Sequence, residues 1–172
     1  MTNATTGTIL VAIDGSKNSM LAAGFAARLA KSLGAHLGLL HVLDVPVLSF
    51  WANVELRMKD DIRAQAEKTL TEISAKISEV CEIVPEFYIV EGVPEEEVLR
   101  AVAEDSRIMM VVTGRGGLAT EKRSHPKLRR ATGRFSAKLS EILPVPLLIV
   151  PPDVEKALLC SAMAEFSLPR EA

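Results

Sequence analysis

Short apolar runs rich in β-branched residues alternate along the chain with longer segments in which apolar residues recur every three or four positions. The short runs are bounded by turn residues and predict buried strands, whereas the longer pattern predicts amphipathic helices. Five strands are predicted: Thr8–Ile13, His36–Leu43, Glu86–Val90, Ile108–Thr113 and Leu147–Val150.

Four helices are predicted between these strands. The first runs from about Met20 to Leu33, with Gly34 as the glycine that ends it. The others cover about Val54–Val80, the segment that begins at Pro94, and Gly133–Leu143. Strands that alternate with helices predict an α/β domain, an open parallel sheet with helices on both faces.

Three residues follow or end predicted strands at one edge of this sheet: Asp14, Val42 and Gly114. Open parallel sheets bind ligands at the carboxyl ends of their strands, near the point where the strand order reverses. We therefore expect these three residues to lie close together at a ligand site.

Two glycine-containing elements point to an anion at that site. Thr113–Gly117 follows a strand, and Thr132–Ser136 opens a helix, whose free N–H groups and dipole favour phosphate. Seven basic side chains lie between Gly114 and Ser136, with Glu121 as the one acid: Arg115, Lys122, Arg123, Lys127, Arg129, Arg130 and Arg134. The alternative is a solvated loop whose charges only favour solubility.

Asp14 belongs to an Asp-Gly-Ser turn directly after the first strand. Its carboxylate is suited to a ribose hydroxyl or an adenine amine. The same residues also form turns and helix caps routinely, and the two roles can coexist.

Composition excludes several classes of function. The 172 residues are 48% hydrophobic and 24% charged, with a net charge of −2, as in a soluble globular protein. This charge and an aromatic content of 4% argue against a nucleic-acid partner. No apolar run approaches membrane-spanning length, and Met1–Gly7 lacks signal-peptide features, so we expect a cytoplasmic protein without a membrane partner.

Catalytic or metal-binding constellations are not evident in the sequence. Only two cysteines occur, Cys81 and Cys160, and neither sits in a CxxC or Cys/His cluster, which makes a disulfide scaffold or a zinc site improbable. His36, His41 and His125 are scattered, and His41 is typical of a core histidine with satisfied hydrogen bonds. We predict no catalytic residues and no metal ligands, and at most slow hydrolysis of a bound nucleotide.

Four segments together resemble the universal stress protein family: Ile9–Ser16, Leu40–Val42, Glu91–Pro94 and Gly133–Val150. The resemblance covers roughly Thr8–Pro151. It implies a five-stranded parallel sheet of order 3-2-1-4-5, a regulator that binds ATP with Mg²⁺, and a homodimer formed through the last strand. The nucleotide-binding residues it implies are Ala12, Asp14, Val42, Gly114, Gly117, Gly133, Arg134, Phe135 and Ser136.

The chain departs from the family's phosphate-binding pattern in two ways. Fifteen residues rather than nine separate Gly117 from Gly133, and Arg134 replaces the expected Ser or Thr. An arginine can bind phosphate in a bidentate manner, so the change weakens ATP binding or alters which anion is bound. Two interpretations follow: a regulator that binds a nucleotide or related anion, or a dimeric protein-interaction module with a degenerate ATP loop.

Residues 152–172 form a C-terminal extension to the predicted domain of residues 8–151. Within the extension, Val154–Phe166 could form a short additional helix.

Overall fold

Five parallel strands form one sheet of order β3-β2-β1-β4-β5 in the computed structural model, which describes residues 6–43, 52–115 and 134–166. The predicted strand order is thus confirmed. The strands are β1 (Thr8–Ile13), β2 (His36–Leu43), β3 (Glu86–Glu91), β4 (Ile108–Gly114) and β5 (Leu147–Val150).

Helices connect the strands and cover both faces of the sheet. They are α1 (Lys17–Leu33), α2 (Ala52–Cys81), α3 (Pro94–Glu104) and α4 (Arg134–Ile142). After β5 the chain forms two short 3-10 helices, Lys156–Leu158 and Ser161–Phe166. The architecture is the α/β fold that the alternating pattern predicted.

The alternation of side chains along each strand divides the core into two layers. On β1, Ile9 and Val11 pack into a cluster with α1 and α2, whereas Leu10 packs with Leu40 and Val98 on the α3 side. All five side chains are at most 1% exposed. Burying such a side chain contributes roughly 1.5–3 kcal/mol, so the central strand anchors both layers.

Helix α1 has a defined signal at each end. The Ser16 hydroxyl accepts a hydrogen bond of 3.2 Å from the Ser19 backbone N–H, which caps the first turn. Gly34 ends the helix with a φ of 63°, a left-handed conformation, as predicted. Because α1 is rich in buried alanines, such as Ala23 and Ala27, it packs closely against the sheet.

The C-terminal segment, Val154–Phe166, packs against α1 and α2. Cys160 N–H donates a 2.9 Å hydrogen bond to the Gly24 carbonyl of α1. Cys160 also forms a disulfide with Cys81, the last residue of α2, at a Cα–Cα distance of 6.3 Å. This cross-link departs from the sequence-based expectation, because a separation of 79 residues does not reveal that the fold brings the two side chains together.

Gly34 allows a test of the α1 C-terminus. We expect Gly34→Ala to lower the free energy of unfolding by about 1 kcal/mol, because alanine disfavours positive φ. No atom lies within 4 Å of the added Cβ, so steric overlap does not contribute to this loss. Urea unfolding measures it. Gly34→Asn is the control and should lose less, and equal stability of Gly34→Ala and the wild type would contradict the assignment.

Candidate functional site

An open cleft lies where β1, β2 and β4 end, beside the N-terminus of α1. It encloses about 390 Å³, counting the space at its mouth. The position is the switch point of the sheet, since the chain leaves β1 toward β2 and later returns to β4 on the other side. The lining residues are Ala12, Ile13, Asp14, Ser16, Asn18, Ser19, Leu40, Val42, Pro94, Val98, Thr113, Gly114 and Phe135.

One wall of the cleft is apolar. Leu40 and Val42 project from β2, Val98 from the first turns of α3, and Phe135 from the start of α4. All four belong to or pack against the α3-side core, so neighbouring side chains hold them in place. Such a wall suits a flat, apolar group such as an aromatic ring.

A polar network forms the opposite side, at the end of β1. Asp14 Oδ1 accepts a 3.0 Å hydrogen bond from the Ser16 backbone N–H and a 2.6 Å bond from the Ser16 hydroxyl. Ser16 in turn caps α1, so Asp14 stabilises the turn that positions this cap. Both bonds use Oδ1 and do not engage Oδ2.

The end of β4 is in close contact with the start of α1. Asn18 Nδ2 donates a 2.6 Å hydrogen bond to the Arg115 carbonyl. A Cβ at Gly114 would collide with the Asn18 backbone, so only glycine permits this approach. Arg115 N–H also donates to the Val150 carbonyl, at 2.8 Å, which ties β4 to β5 at the same edge.

Ser136, in the first turn of α4, reaches the end of β4 as well. Its hydroxyl lies 3.5 Å from the Thr113 hydroxyl, and both side chains are buried. Two buried hydroxyls at the edge of the cleft can donate or accept hydrogen bonds. This pair therefore connects α4 to the cleft wall.

The structure brings together Ala12, Asp14, Val42, Gly114 and Phe135 from the predicted set. Ser136 contacts the cleft residue Thr113, and Arg134 is the first residue of α4. Gly117, Gly133 and most of the basic loop lie outside the described residues.

Sequence reasoning missed part of the lining, notably Asn18, Ser19, Pro94 and Val98. Pro94 and Val98 belong to α3, which reaches the cleft only because this helix packs against the sheet. The one available signal was the position of Asn18 and Ser19 directly after the Asp-Gly-Ser turn, which places them at the same edge as Asp14.

Over residues 6–43, 52–115 and 134–166, no group of three or more His, Cys, Asp or Glu side chains is placed to hold a metal ion. Within the same ranges, no helix combines the length and apolarity that crossing a membrane requires.

His41 lies on β2 beside the cleft, between the lining residues Leu40 and Val42. Its Nδ1 is buried and has no hydrogen-bond partner among the described residues, contrary to the expectation of a satisfied core histidine. Burial lowers the pKa of His41 below its ordinary value of 6.5, and the Ile13 backbone and the Asp14 carboxylate only partly offset this effect. The neutral form of His41 is thus favoured more than it is in a free histidine.

The chain belongs to the universal stress protein family, whose family model matches residues 5–151. A search of curated proteins finds no match. Among solved structures, the chain is similar to universal stress protein UspA from Lactobacillus plantarum, with a TM-score of 0.73 and 21% identity, over 86% of this chain and 99% of that one.

Two similar structures contain nucleotides. One is a universal stress protein in complex with cAMP, with a TM-score of 0.54 and 21% identity, over 84% of this chain and 95% of that one. The other is the universal stress protein from Archaeoglobus fulgidus in complex with dAMP, with a TM-score of 0.60 and 18% identity, over 84% and 97%. At these identities the likeness establishes the shared fold.

We predict that His41 makes stability depend on pH. Because its pKa is lowered in the folded state, the unfolded chain binds the proton first as the pH falls below 6.5. The contribution of His41 to the free energy of unfolding is therefore fully present well above pH 6.5 and is lost progressively as the pH falls below this value. Urea unfolding between pH 7.5 and 5.5 should show a shallower loss for His41→Gln than for the wild type.

His36 provides the matched control for this measurement, since it lies at the start of the same strand and is exposed. His36→Gln should keep the wild-type dependence on pH. The assignment fails if His41→Gln loses stability on acidification as steeply as the wild type does.

Proposed function

We propose that this protein is a stress-response regulator that binds ATP, or a related nucleotide or anion, in the cleft at the carboxyl ends of β1, β2 and β4. One observation carries the proposal: an apolar wall and the Asp14 carboxylate face the same cleft at the switch point of the sheet. This pairing suits a nucleoside, which has a flat base and a sugar with hydroxyl donors.

The adenosine end is assigned to Ala12, Val42 and Asp14. The base would lie against the wall that includes Val42, close to the backbone of Ala12, and the ribose hydroxyls would donate to Asp14. Asp14 Oδ2 is suited to this role because Oδ1 already accepts two hydrogen bonds from Ser16. The capping and ligand-binding roles of Asp14 are therefore compatible.

The phosphate end is assigned to Gly114, Gly117, Gly133, Arg134, Phe135 and Ser136. Support comes from the position of Gly114 at the cleft and from the first turn of α4 beside it. Backbone N–H groups at a helix N-terminus favour phosphate, and the guanidinium of Arg134 would add charge-assisted bonds. Mg²⁺ would accompany ATP, bound mainly through the phosphates themselves.

The two nucleotide complexes support the class of ligand, since one contains cAMP and the other dAMP. Both ligands carry an adenine base, the part that the apolar wall is suited to hold. We place the protein in the cytoplasm and assign it no catalytic residues, with slow hydrolysis of ATP as the most activity expected.

A second candidate is a dimeric protein-interaction module with a degenerate ATP loop. The observation that favours it is the exposed edge of β5, which pairs with β4 on one side. Ile149, in the centre of β5, is 43% exposed. A second copy that packs against this strand would cover Ile149, so we propose a homodimer through β5, which is compatible with either candidate.

Nucleotide binding can be tested by isothermal titration calorimetry with Mg·ATP, AMP and cAMP. We expect saturable binding by the wild type and at least a tenfold loss of affinity for Asp14→Ala, because a charge-assisted hydrogen bond contributes roughly 1.5–3 kcal/mol. Removing the carboxylate also affects the α1 cap, so circular dichroism must show that the variant is folded.

Asp105→Ala is the matched control, because this carboxylate is paired with Arg107 and does not line the cleft. It should bind like the wild type. Absence of saturable binding at millimolar concentrations of every nucleotide would overturn the proposal and favour the interaction module.

The dimer can be tested by analytical ultracentrifugation. We expect the wild type to sediment as a dimer and Ile149→Asp to sediment as a monomer at micromolar concentration, because the charge would be buried without a partner. Val84→Asp is the control, since Val84 is 80% exposed and precedes β3 at the other edge of the sheet. An Ile149→Asp dimer, or a monomeric wild type, would exclude an interface through β5.

A further inference from the structure

The C-terminal segment, Val154–Phe166, is attached to the domain at one face of α1 and α2. Its buried side chains belong to the same core cluster as these helices. They are Val154, Leu159, Cys160 and Met163, all at most 6% exposed. The family match ends at residue 151, so this docked segment lies beyond the matched domain.

Gly24 forms a notch in α1 that receives the segment. A Cβ at Gly24 would lie 2.5 Å from the Met163 Cβ, closer than packed carbon atoms approach. Glycine in the middle of a helix is unfavourable, so its presence at this position is explained by the close approach. The docking is therefore specific in shape, and Met163 is its central contact.

The segment also makes polar contacts with α1 and α2. They include the Cys160–Gly24 hydrogen bond and an exposed ion pair of 3.4 Å between Lys76 and Glu165. Exposed ion pairs contribute little to stability. Ordering a segment of this length costs substantial conformational entropy, which the buried side chains and the cross-link offset. The Cys81–Cys160 disulfide adds a covalent link between the segment and the end of α2.

We propose that the Cys81–Cys160 disulfide is a redox-controlled latch that holds Val154–Phe166 on α1 and α2 when oxidised and releases this segment when reduced. The reductant is a small thiol of the glutathione class. Two of its thiols form one disulfide and supply the two electrons and two protons that convert the cystine into the thiols of Cys81 and Cys160.

The surroundings of the cystine fit a latch. Both residues are at most 6% exposed, so a thiolate reaches the sulfur atoms only when the segment opens locally. In the cytoplasm proposed for this protein most thiols are kept reduced, and disulfides there are usually transient or redox-sensing. Docking and oxidation favour each other, because each brings about the arrangement that the other requires.

The full-length oxidised protein provides the test. It is equilibrated with glutathione at rising ratios of the reduced to the oxidised form. Alkylation and mass spectrometry then measure the fraction of free thiol, and hydrogen–deuterium exchange measures the opening of residues 154–166. We expect reduction without unfolding, with exchange of this segment at least about tenfold faster and peptides of β1 and β4 unchanged.

Three results would overturn the proposal. The first is a disulfide that resists excess glutathione until the domain unfolds, which would make it a permanent cross-link. The second is reduction that leaves exchange of residues 154–166 unchanged. The third is free thiols at both cysteines in protein purified in air.

Variants separate the covalent and packing contributions. Cys81→Ser combined with Cys160→Ser should exchange like the reduced wild type in any glutathione buffer. Met163→Ala should reach half-reduction at a reduced-to-oxidised glutathione ratio about tenfold lower, because it weakens docking. Leu158→Ala is the matched control: Leu158 is 46% exposed on the same segment and should titrate like the wild type. Equal behaviour of the two alanine variants would show that docking and oxidation are not coupled.

Discussion

Burial of β1 between two helical layers is the constraint on which the rest of this structure depends. Ile9 and Val11 face α1 and α2, while Leu10 faces the α3 side, and all three are fully buried. A strand covered on both faces and flanked by β2 and β4 has its backbone polar groups paired along its length. Only at its carboxyl end do backbone and side chains become available to a ligand.

The cleft is a consequence of that arrangement. The chain diverges on either side of β1, and the space between the diverging connections is lined by the ends of three strands and by the N-terminus of α1. Asp14 and Ser16 stabilise the turn into α1, and Gly114 lets β4 approach Asn18. The residues that stabilise the fold at this edge of the sheet are therefore the same residues that line the cleft.

Helix α1 connects the two features of interest. Its first turn lines the cleft, and its middle, at Gly24, receives the C-terminal segment. The segment is small and is cross-linked to α2, whereas the sheet is stabilised by cores on both faces. An addition of this kind can respond to redox conditions while the domain keeps its structure.

Local pattern alone determined the helices and strands. The bounds of β2 and β5 and the role of Gly34 follow from apolar runs and turn chemistry, which act over a few residues. The order of the strands in the sheet, by contrast, was predicted from the family resemblance and not from local pattern. The Asn18–Arg115 contact and the Cys81–Cys160 bond join residues 97 and 79 positions apart, and no local signal encodes such pairs. Only the packing of α1 and α2 on the sheet decides them, because distance in space is set by the docking of whole elements.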